Sequence, residues 1–245
     1  MSDSGAGLRP DTRPDRRFER LADDAWLIAF DAPLASILDP ETNARVHALA
    51  ARIRAAAPDW LRDLVPAYAT LAVFFDLDTI DAESVRDWLH AQCIDDLADA
   101  QASASRAIEI PVRYGGAFGE DLDAAAAELG IAADTLIARH GAALYTVAMI
   151  GFAPGFPYLS GLEPSLALPR LATPRTRVPA GSVAIGGAQT GIYPRESPGG
   201  WRLLGRTPLR LFDPQRASPS LLAPGDRVRF IAIDDDAFAR LERGA

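Results

Sequence analysis

The pattern of hydrophobic positions divides the chain into two parts of different texture. In the first part, the apolar run Ala25–Phe30 predicts a strand, and Thr70–Phe75, apolar on both faces, predicts a buried strand. Asp39 followed by Pro40 has the form of a helix N-terminus. Two amphipathic helices are predicted from apolar residues at helical spacing: Val46, Leu49, Ala50 and Ile53, then Val85, Trp88, Leu89 and Cys93. Strand, helix, strand and helix in succession indicate a small α+β domain.

The second part opens with the alternation of a half-buried strand over 108–112, where Pro111 predicts a sheet edge. Two short helices, ended by Gly130 and Gly141, precede the apolar run Leu144–Ile150, which predicts a buried strand. Beyond this run Gly and Pro are frequent, and the predicted strands are short: 182–185, 191–193, 201–204, 209–212 and 228–233. Many short strands with turn residues between them are typical of a barrel or a sandwich.

Small and charged residues separate the two parts, in the stretch DDLADAQASAS at 95–105. Such a composition is typical of a linker. The polar N-terminus, rich in Asp, Arg, Pro and Gly, is typical of a disordered tail. We therefore expect a tail over 1–17, an N-terminal α+β domain over 18–97, a linker over 98–107 and a C-terminal domain over 108–245.

Composition limits the chemistry that the chain can carry. Of 245 residues 49% are hydrophobic, enough for a sizeable core, and the net charge of -8 argues against a nucleic-acid surface. Every basic residue is arginine, which excludes a P-loop lysine, a Schiff-base lysine and a lysine that carries biotin or lipoate. The lone Cys93 forms no intrachain disulfide, and it and three scattered histidines make no zinc site, so we predict no protein-bound metal. Without an apolar signal core or a run of transmembrane length, we expect a cytoplasmic protein that does not contact membranes.

The first candidate for a site is the loop GFAPGFPY over 151–158, too rich in Gly and Pro for a helix. Its three aromatic residues either pin the loop by packing or line a pocket, and Phe156 and Tyr158 are the site candidates among them. In the next segment, Arg175 and Arg177 share one face if the chain is extended there. Two guanidinium groups on one face suit a carboxylate or a phosphate, although two solvated surface arginines would give the same pattern.

A glycine-rich stretch follows, IGGAQTGIYP and then SPGGWRLLGRTP. Its glycines let backbone approach a ligand, and the stretch adds an amide, hydroxyls, an indole and a cation at Gln189, Tyr193, Ser197, Trp201 and Arg206. Fingerprints for nucleotide phosphates of the GxGxxG and GxxxxGK[ST] kinds are absent. His140, at the end of a predicted helix, is either a satisfied core residue or a general acid–base. Our catalytic candidates are His140 and Arg206. The candidates for substrate binding are Phe156, Tyr158, Arg175, Arg177, Gln189, Tyr193, Ser197 and Trp201.

Three motifs in this order resemble the signature of the allophanate hydrolase subunit 1 family: GFAPGFPYLSGL, TPRTRVPAGSVAIGGAQTGIYP and ESPGGWRLLGRTP. The resemblance is dense over 145–212 and looser over 106–144, whereas residues 19–100 match mainly in layout. Arg195 departs from it, because the family more often has an uncharged residue there. The family includes one of the subunits of bacterial 5-oxoprolinase and the sporulation-kinase inhibitor KipI, and similar modules lie inside urea carboxylase.

The resemblance implies a ferredoxin-like N-terminal α+β domain and a cyclophilin-like C-terminal β-barrel. It further implies ATP-dependent opening of 5-oxo-L-proline to L-glutamate, with ATP as co-substrate together with Mg²⁺. It implies two partner proteins, the C subunit of 5-oxoprolinase, which has a related barrel that pairs with this one, and the A subunit. The chain alone would then be inactive. Two other roles fit the same motifs: inhibition of a sensor histidine kinase, and one half of a biotin-dependent carboxyltransferase in a urea carboxylase or allophanate system.

Overall fold

The computed structural model describes residues 16–30, 39–93 and 107–244. Within the chain, Met1–Asp96 and Leu97–Ala245 form two compact units. The predicted tail, except Arg16 and Arg17, and the predicted linker, except its last residue, lie outside the described residues.

The N-terminal unit is an antiparallel sheet with two helices. Its elements in chain order are β1 (Arg16–Ala22), β2 (Ala25–Phe30), α1 (Pro40–Ala56), β3 (Leu61–Pro66), β4 (Thr70–Phe75) and α2 (Ala82–Gln92). The strand order in the sheet is β1-β2-β4-β3, with every neighbouring pair antiparallel. The predicted strands β2 and β4 and both helices are confirmed, and the Asp39 carboxylate caps α1 by accepting from the backbone N–H of Thr42 at 2.8 Å.

The hydrophobic pattern missed both outer strands of this sheet. Most side chains of β1 and β3 face solvent, so neither strand has an apolar run or a clear alternation. Because β1 begins at Arg16, the prediction of a tail as far as residue 17 was wrong for its last two residues. Backbone pairing with β2, which a sequence pattern does not show, holds these polar residues in a strand.

The C-terminal unit is built on a closed barrel of seven strands in the order β10-β7-β6-β13-β5-β12-β9. A separate two-stranded ribbon pairs β8 with β11, and three helices complete the unit. The elements in chain order are β5 (Ile108–Tyr114), α3 (Leu122–Glu128), α4 (Ala133–Ala142), β6 (Tyr145–Ile150), β7 (Pro157–Ser160), β8 (Arg175–Val178), β9 (Ser182–Gly186), β10 (Gln189–Ile192), β11 (Ser197–Gly199), β12 (Arg202–Arg206), β13 (Arg227–Ala232) and α5 (Asp235–Glu242). The strands β5 and β13 run parallel, and the other neighbouring strands of the barrel run antiparallel.

Side chains fill the inside of the barrel. Inward-facing residues of the strands, such as Val147, Ile185 and Phe230, form one continuous core with residues of α3 and α4, such as Leu122 and Leu136. Alternate residues of the same strands face outward, so that Ala184 belongs to a separate cluster on the outer surface of the barrel. A closed and filled barrel leaves its outer faces and its loops for a binding site.

Three predictions for this unit need correction. Residues 209–212 form no strand and contribute only an isolated bridge between Phe212 and Ser220. The second short helix, α4, continues through Gly141 to Ala142. The strand with Pro111 lies inside a closed barrel and at no sheet edge; Pro111 is tolerated because β12 pairs only with residues 113 and 114 of that strand. Over the described residues, no helix has the length and apolar character needed to cross a membrane.

Candidate functional site

Four aromatic side chains of the predicted site pack together on the outer face of the barrel. The ring of Phe156 is central, with centroid distances of 4.8 Å to Tyr158, 5.2 Å to Tyr193 and 5.7 Å to Trp201. The exposed fractions of Phe156, Tyr193 and Trp201 are 2%, 2% and 5%, whereas Tyr158 is half-buried. The structure therefore brings these residues together, and Tyr158 is the most exposed of the four. We call Phe156, Tyr158, Tyr193 and Trp201 the aromatic cluster.

Glycines make room for the rings of this cluster. A Cβ added to Gly186 would lie 2.4 Å from the indole of Trp201, and one added to Gly199 would lie 2.3 Å from the Tyr193 hydroxyl oxygen. A Cβ at Gly191 would lie 3.1 Å from the Trp201 ring. The sequence suggested that these glycines admit a ligand close to the backbone. In the structure they admit aromatic side chains of the same chain instead.

One aromatic residue at the rim of the cluster was not among the predicted site residues. Phe152 is 60% exposed, and its ring lies 5.4 Å from that of Phe156 and 6.3 Å from that of Tyr193. Its backbone has φ +64°, in a three-residue turn closed by a hydrogen bond from the N–H of Ala153 to the oxygen of Gly151 at 2.7 Å. This conformation is strained for a residue with a side chain, and such strain is concentrated at functional sites.

Arg175 and Arg177 do not act together on one anion in this structure. Arg175 donates to the carboxylate of Asp121 at 2.7 Å, in a partly buried pair. Arg177 forms a two-fold, solvent-exposed pair with Glu196, at 3.0 and 2.8 Å. The predicted joint anion site is therefore wrong for the conformation described, because each guanidinium already has a carboxylate of its own. For Arg177, the alternative of a solvated surface arginine is the better description.

Asp121 is a buried acid that the sequence patterns did not single out. Its carboxylate accepts from Arg175 through Oδ1 and from the backbone N–H of Leu203 through Oδ2 at 2.7 Å. Although Asp121 directly precedes helix α3, its side chain does not cap that helix. The only sequence signal for it is its place in the segment GEDLD, within the looser part of the family resemblance.

Arg170 was also missed, and it lies on the aromatic cluster. Its guanidinium carbon is 5.7 Å from the centroid of the Trp201 ring, and the residue is exposed. Burial raises the pKa of the hydroxyls of Tyr158 and Tyr193, and the nearby charge of Arg170 opposes that rise. Arg170 lies in a loop of no regular structure, and no spacing rule relates it to Trp201.

The other predicted site residues lie on the same outer surface with different partners. Gln189, on β10, pairs with Gly186 on the neighbouring strand β9, and Gln189 is 9% exposed. Ser197, on the ribbon strand β11, donates weakly to the oxygen of Arg195 at 3.4 Å. Arg206, opposite Ser182 on β9, places its guanidinium 5.6 Å from the ring centroid of Phe118, which is not part of the aromatic cluster.

His140 is enclosed in the barrel core and is fully buried. Its Nδ1 lies 2.8 Å from the hydroxyl of Tyr114, its Nε2 lies 3.0 Å from the hydroxyl of Thr190, and its ring stacks on Phe230 at 4.7 Å. Burial lowers the pKa of His140 to about 3. The general acid–base role predicted for His140 is therefore wrong for this structure, and the alternative of a satisfied core histidine is the better description.

Comparison with known proteins identifies the family. The family model described as carboxyltransferase domain, subdomain C and D, matches residues 16–222. The chain is 38% identical over 229 residues to the B subunit of 5-oxoprolinase from Bacillus subtilis (strain 168), covering 89% of this chain and 93% of that relative. It is 54% identical over 134 residues to the B subunit of 5-oxoprolinase from Escherichia coli O157:H7, covering 55% of this chain and 62% of that relative.

Among solved structures, the crystal structure of TTHA0988 superposes with a TM-score of 0.75 at 42% sequence identity. The match covers 86% of this chain and 40% of the TTHA0988 chain, so this chain spans less than half of that protein. The family match extends over strands of both units and over all of the residues of the aromatic cluster. The chain therefore belongs to the family described as carboxyltransferase domain, subdomain C and D, and within it is similar to the B subunit of 5-oxoprolinase.

Proposed function

We propose that this chain is one of the subunits of an ATP-dependent 5-oxoprolinase that converts 5-oxo-L-proline to L-glutamate. The observation that carries the proposal is its similarity, over nearly the whole length of both proteins, to a relative named as the B subunit of 5-oxoprolinase. A role in a hydrolase complex follows from that name, and the reaction, the co-substrate and the partners are the proposed parts.

The reaction explains why ATP is needed. The substrate is a lactam, a resonance-stabilised amide that water opens very slowly. Transfer of the γ-phosphoryl group of ATP to the amide oxygen, with ADP leaving, would make the ring carbon a good electrophile for water. Cleavage of the carbon–nitrogen bond after this attack would leave an acyl phosphate, and a second water would release phosphate and give glutamate. The protein must hold the carboxylate, orient the lactam and neutralise phosphate charge, and Mg²⁺ would accompany the nucleotide.

The outer face of the barrel offers groups for the first two of these tasks. The open side of the aromatic cluster, at Tyr158, presents a flat apolar wall for a small ring. Exposed Arg170 lies against the same cluster. We assign substrate binding to this surface. Gln189 and Ser197, which are close in sequence to residues of the cluster, remain candidates for substrate binding. Arg206 remains the candidate for neutralising phosphate charge. His140 is left out of the proposed chemistry because no part of it is exposed.

We propose that the chain works in the cytoplasm with the C subunit, which has a paired barrel, and with the A subunit. The exposed and strained Phe152 beside the aromatic cluster supports a partner at this face, because an isolated protein gains nothing from an aromatic ring held in solvent at a conformational cost. The chain carries no lysine and no phosphate-binding fingerprint, which supports a nucleotide site completed by another protein chain.

The finer fold assignment is also a proposal. We propose a ferredoxin-like sheet for the N-terminal unit. The strand order β1-β2-β4-β3 with helices after β2 and β4 supports it, with β1, from before the first βα unit, in the place of the outer strand that usually follows the last helix. We also propose that the seven-stranded barrel is cyclophilin-like, as the family resemblance implies.

The decisive experiment compares this chain alone with the chain mixed with its two partner proteins. We expect 5-oxoproline-dependent ATP hydrolysis and glutamate release from the mixture and none from the lone chain. Full turnover by the lone chain would contradict the shared site. An inactive mixture, together with tight binding of this chain to a histidine kinase, would favour the regulatory role.

One alternative has an observation of its own, since the family is described as a carboxyltransferase domain. In that case the chain would be one half of a carboxyltransferase, and because it has no lysine, biotin would be attached to a partner. Carboxyl transfer from a biotinylated partner, in a mixture that does not hydrolyse 5-oxoproline, would favour this alternative.

A further inference from the structure

The arginines around the aromatic cluster differ in whether their charge is already neutralised. Three of them form ion pairs at 2.7–2.8 Å with carboxylates of this chain: Arg175 with Asp121, Arg177 with Glu196 and Arg202 with Glu128. Over residues 16–30, 39–93 and 107–244, Arg170 has no carboxylate partner and no hydrogen-bond acceptor for its N–H groups. Arg170 is thus an exposed cation beside the aromatic cluster that is still open to an anion.

Contact with Trp201 holds this cation in place without occupying its hydrogen-bond donors. A guanidinium over an indole ring is attracted by the π electrons, and this attraction leaves the N–H groups of the guanidinium for other partners. The Trp201 ring is itself fixed, because it fits against Gly186 and packs on the ring of Phe156. The charge also reaches the half-exposed Tyr158, whose pKa it affects. A fixed cation and a partly exposed aromatic ring therefore lie side by side.

The chemistry of the two groups selects a class of ligand. One guanidinium matches one carboxylate, through two parallel hydrogen bonds, whereas a triphosphate needs several cations or a metal ion. The wall at Tyr158 suits a small flat ring. In a chain of net charge -8, an unpaired exposed arginine is also a site that attracts small anions.

We propose that Arg170 binds the carboxylate of a small planar-ring acid, with the ring of that acid against Tyr158. This inference rests on the proposed function, under which the acid is 5-oxoproline and Arg170 fixes the carboxylate, which is attached to the ring carbon next to the amide nitrogen. Trp201 is then a positioning residue, since it acts through Arg170.

The test uses the assembled complex with Arg170→Gln, with Arg170→Lys, and with Arg240→Gln as the control. Arg240 is exposed on the last turn of α5 and far along the chain from the cluster. We expect Arg170→Gln to raise KM for 5-oxoproline by about 10- to 100-fold, the loss of a charged hydrogen bond, with KM for ATP unchanged. Arg170→Lys restores part of the affinity because it keeps the charge, and Arg240→Gln behaves as the wild type.

Three results would overturn the inference: equal KM values for 5-oxoproline in Arg170→Gln and the control, a raised KM for ATP instead, or loss of complex assembly in gel filtration. If the wild-type complex does not turn over 5-oxoproline, the proposed function fails, and the anion site is then decided by titrating the isolated chain with 5-oxoproline. A saturable shift of the Trp201 indole N–H signal in NMR that disappears in Arg170→Gln supports the anion site, and the absence of such a shift overturns it.

Discussion

At the scale of single residues, His140 has the hydrogen bonds of a neutral imidazole. The Thr190 hydroxyl donates to the oxygen of Ala184 at 2.9 Å, so it accepts from the Nε2–H of His140. The Nδ1 atom of His140 then accepts from the Tyr114 hydroxyl at 2.8 Å. A second proton on the ring would set Nδ1–H against that O–H and place a charge in the core of the barrel. The neutral form is therefore part of the folded structure.

This arrangement predicts how stability depends on pH. The pKa of His140 is about 3 in the folded chain and about 6.5 in an unfolded one. Because the folded pKa is depressed, the unfolded state takes up the proton first. The contribution of His140 is complete above pH 6.5 and is lost as pH falls below it, by about 1.4 kcal/mol per pH unit. To measure this slope, the intact chain is unfolded with urea at several pH values between 7.5 and 5. Hydrogen exchange in the barrel segments then gives the unfolding free energy at each pH.

The test variant is His140→Gln, which should be less stable at pH 7.5 and should show a flatter dependence of stability on pH. The control is His90→Gln in α2, which should keep the slope of the wild type. The same slope in His140→Gln and in the wild type would mean that His140 is not the group that titrates.

A second residue-scale prediction concerns the glycines under the aromatic cluster. Gly186→Ala would press a methyl group into the Trp201 ring and should cost about 1–3 kcal/mol of unfolding free energy. Gly200→Ala is the control, because its nearest neighbour would be 3.6 Å away, an ordinary contact, and its φ is not positive. Chemical denaturation compares the two. If both variants lose the same stability, the close approach of Trp201 to Gly186 is not a constraint.

Arg206 provides an activity test. Its Nε atom is buried without a hydrogen-bond partner, and its guanidinium rests on Phe118. If the remaining N–H groups bind a phosphate or the substrate, Arg206→Ala should lower kcat/KM of the assembled complex by about 10- to 100-fold, whereas Arg240→Ala should not. Small and equal effects in steady-state assays would make Arg206 a surface charge only.

The sequence predicted which residues of the aromatic cluster lie together, because Gly and Pro exclude helix and leave the aromatic side chains to pack on one another. It did not predict the roles of the neighbours. Gly186 and Gly199 were interpreted as ligand contacts, but a sequence does not show whether a ring of the same chain fills the space beside a glycine. His140 was left open, since burial of a histidine depends on the closure of strands distant along the chain.

At the scale of elements, Asp121 ties three pieces of the barrel unit together. It lies at the start of α3, binds the backbone of β12 through Leu203 and binds β8 through Arg175. The β8–β11 ribbon is not part of the barrel sheet, so this ion pair is one of the contacts that fix the ribbon beside it. A carboxylate that satisfies a buried N–H and a guanidinium at once is costly to remove.

The prediction is a double-mutant cycle. Asp121→Ala should lose about 2–3 kcal/mol, because it leaves the N–H of Leu203 without an acceptor and the Arg175 guanidinium with only the more distant carboxylate of Glu120, at 3.7 Å. Arg175→Ala should lose less, since the hydrogen bond to Leu203 remains. The double variant should be more stable than the sum of the two losses implies, by about 1 kcal/mol. Denaturant titrations of the four proteins give the coupling energy, and a coupling near zero would mean that solvent already screens the pair.

Buried elements were predictable from the sequence and exposed or irregular ones were not. The strands β2, β4 and β6 carry apolar runs, and α1 has its capping residue and proline in order. Hydrophobic periodicity reports burial, so the outer strands β1 and β3, which are exposed over much of their length, gave no signal. The ribbon strand β11 has three residues, and only its partner β8 defines it as a strand.

At the scale of the whole molecule, the two compact units predict a pattern of proteolysis. Trypsin cleaves this chain only after arginine, because it contains no lysine, and Arg106 lies within the predicted linker. We expect early cleavage after Arg106 and two fragments that resist further digestion, because in the predicted tail Arg9 and Arg13 are each followed by proline, which blocks trypsin, and Arg16 and Arg17 lie in β1. Mass spectrometry of timed samples identifies the cuts. First cleavage inside the barrel strands would contradict a division at 98–107.

The filled barrel has a consequence for how such a protein can change in evolution. Its interior, from Tyr114 and His140 to Phe230, is occupied by its own side chains, so the fold is maintained without any ligand. Recognition is left to outer loops and to a ribbon that the barrel sheet does not include. Selection can then alter specificity at positions such as Phe152 and Arg170 with little cost in folding, whereas the interior tolerates few changes. Divergent activities on one unchanged scaffold are the expected outcome.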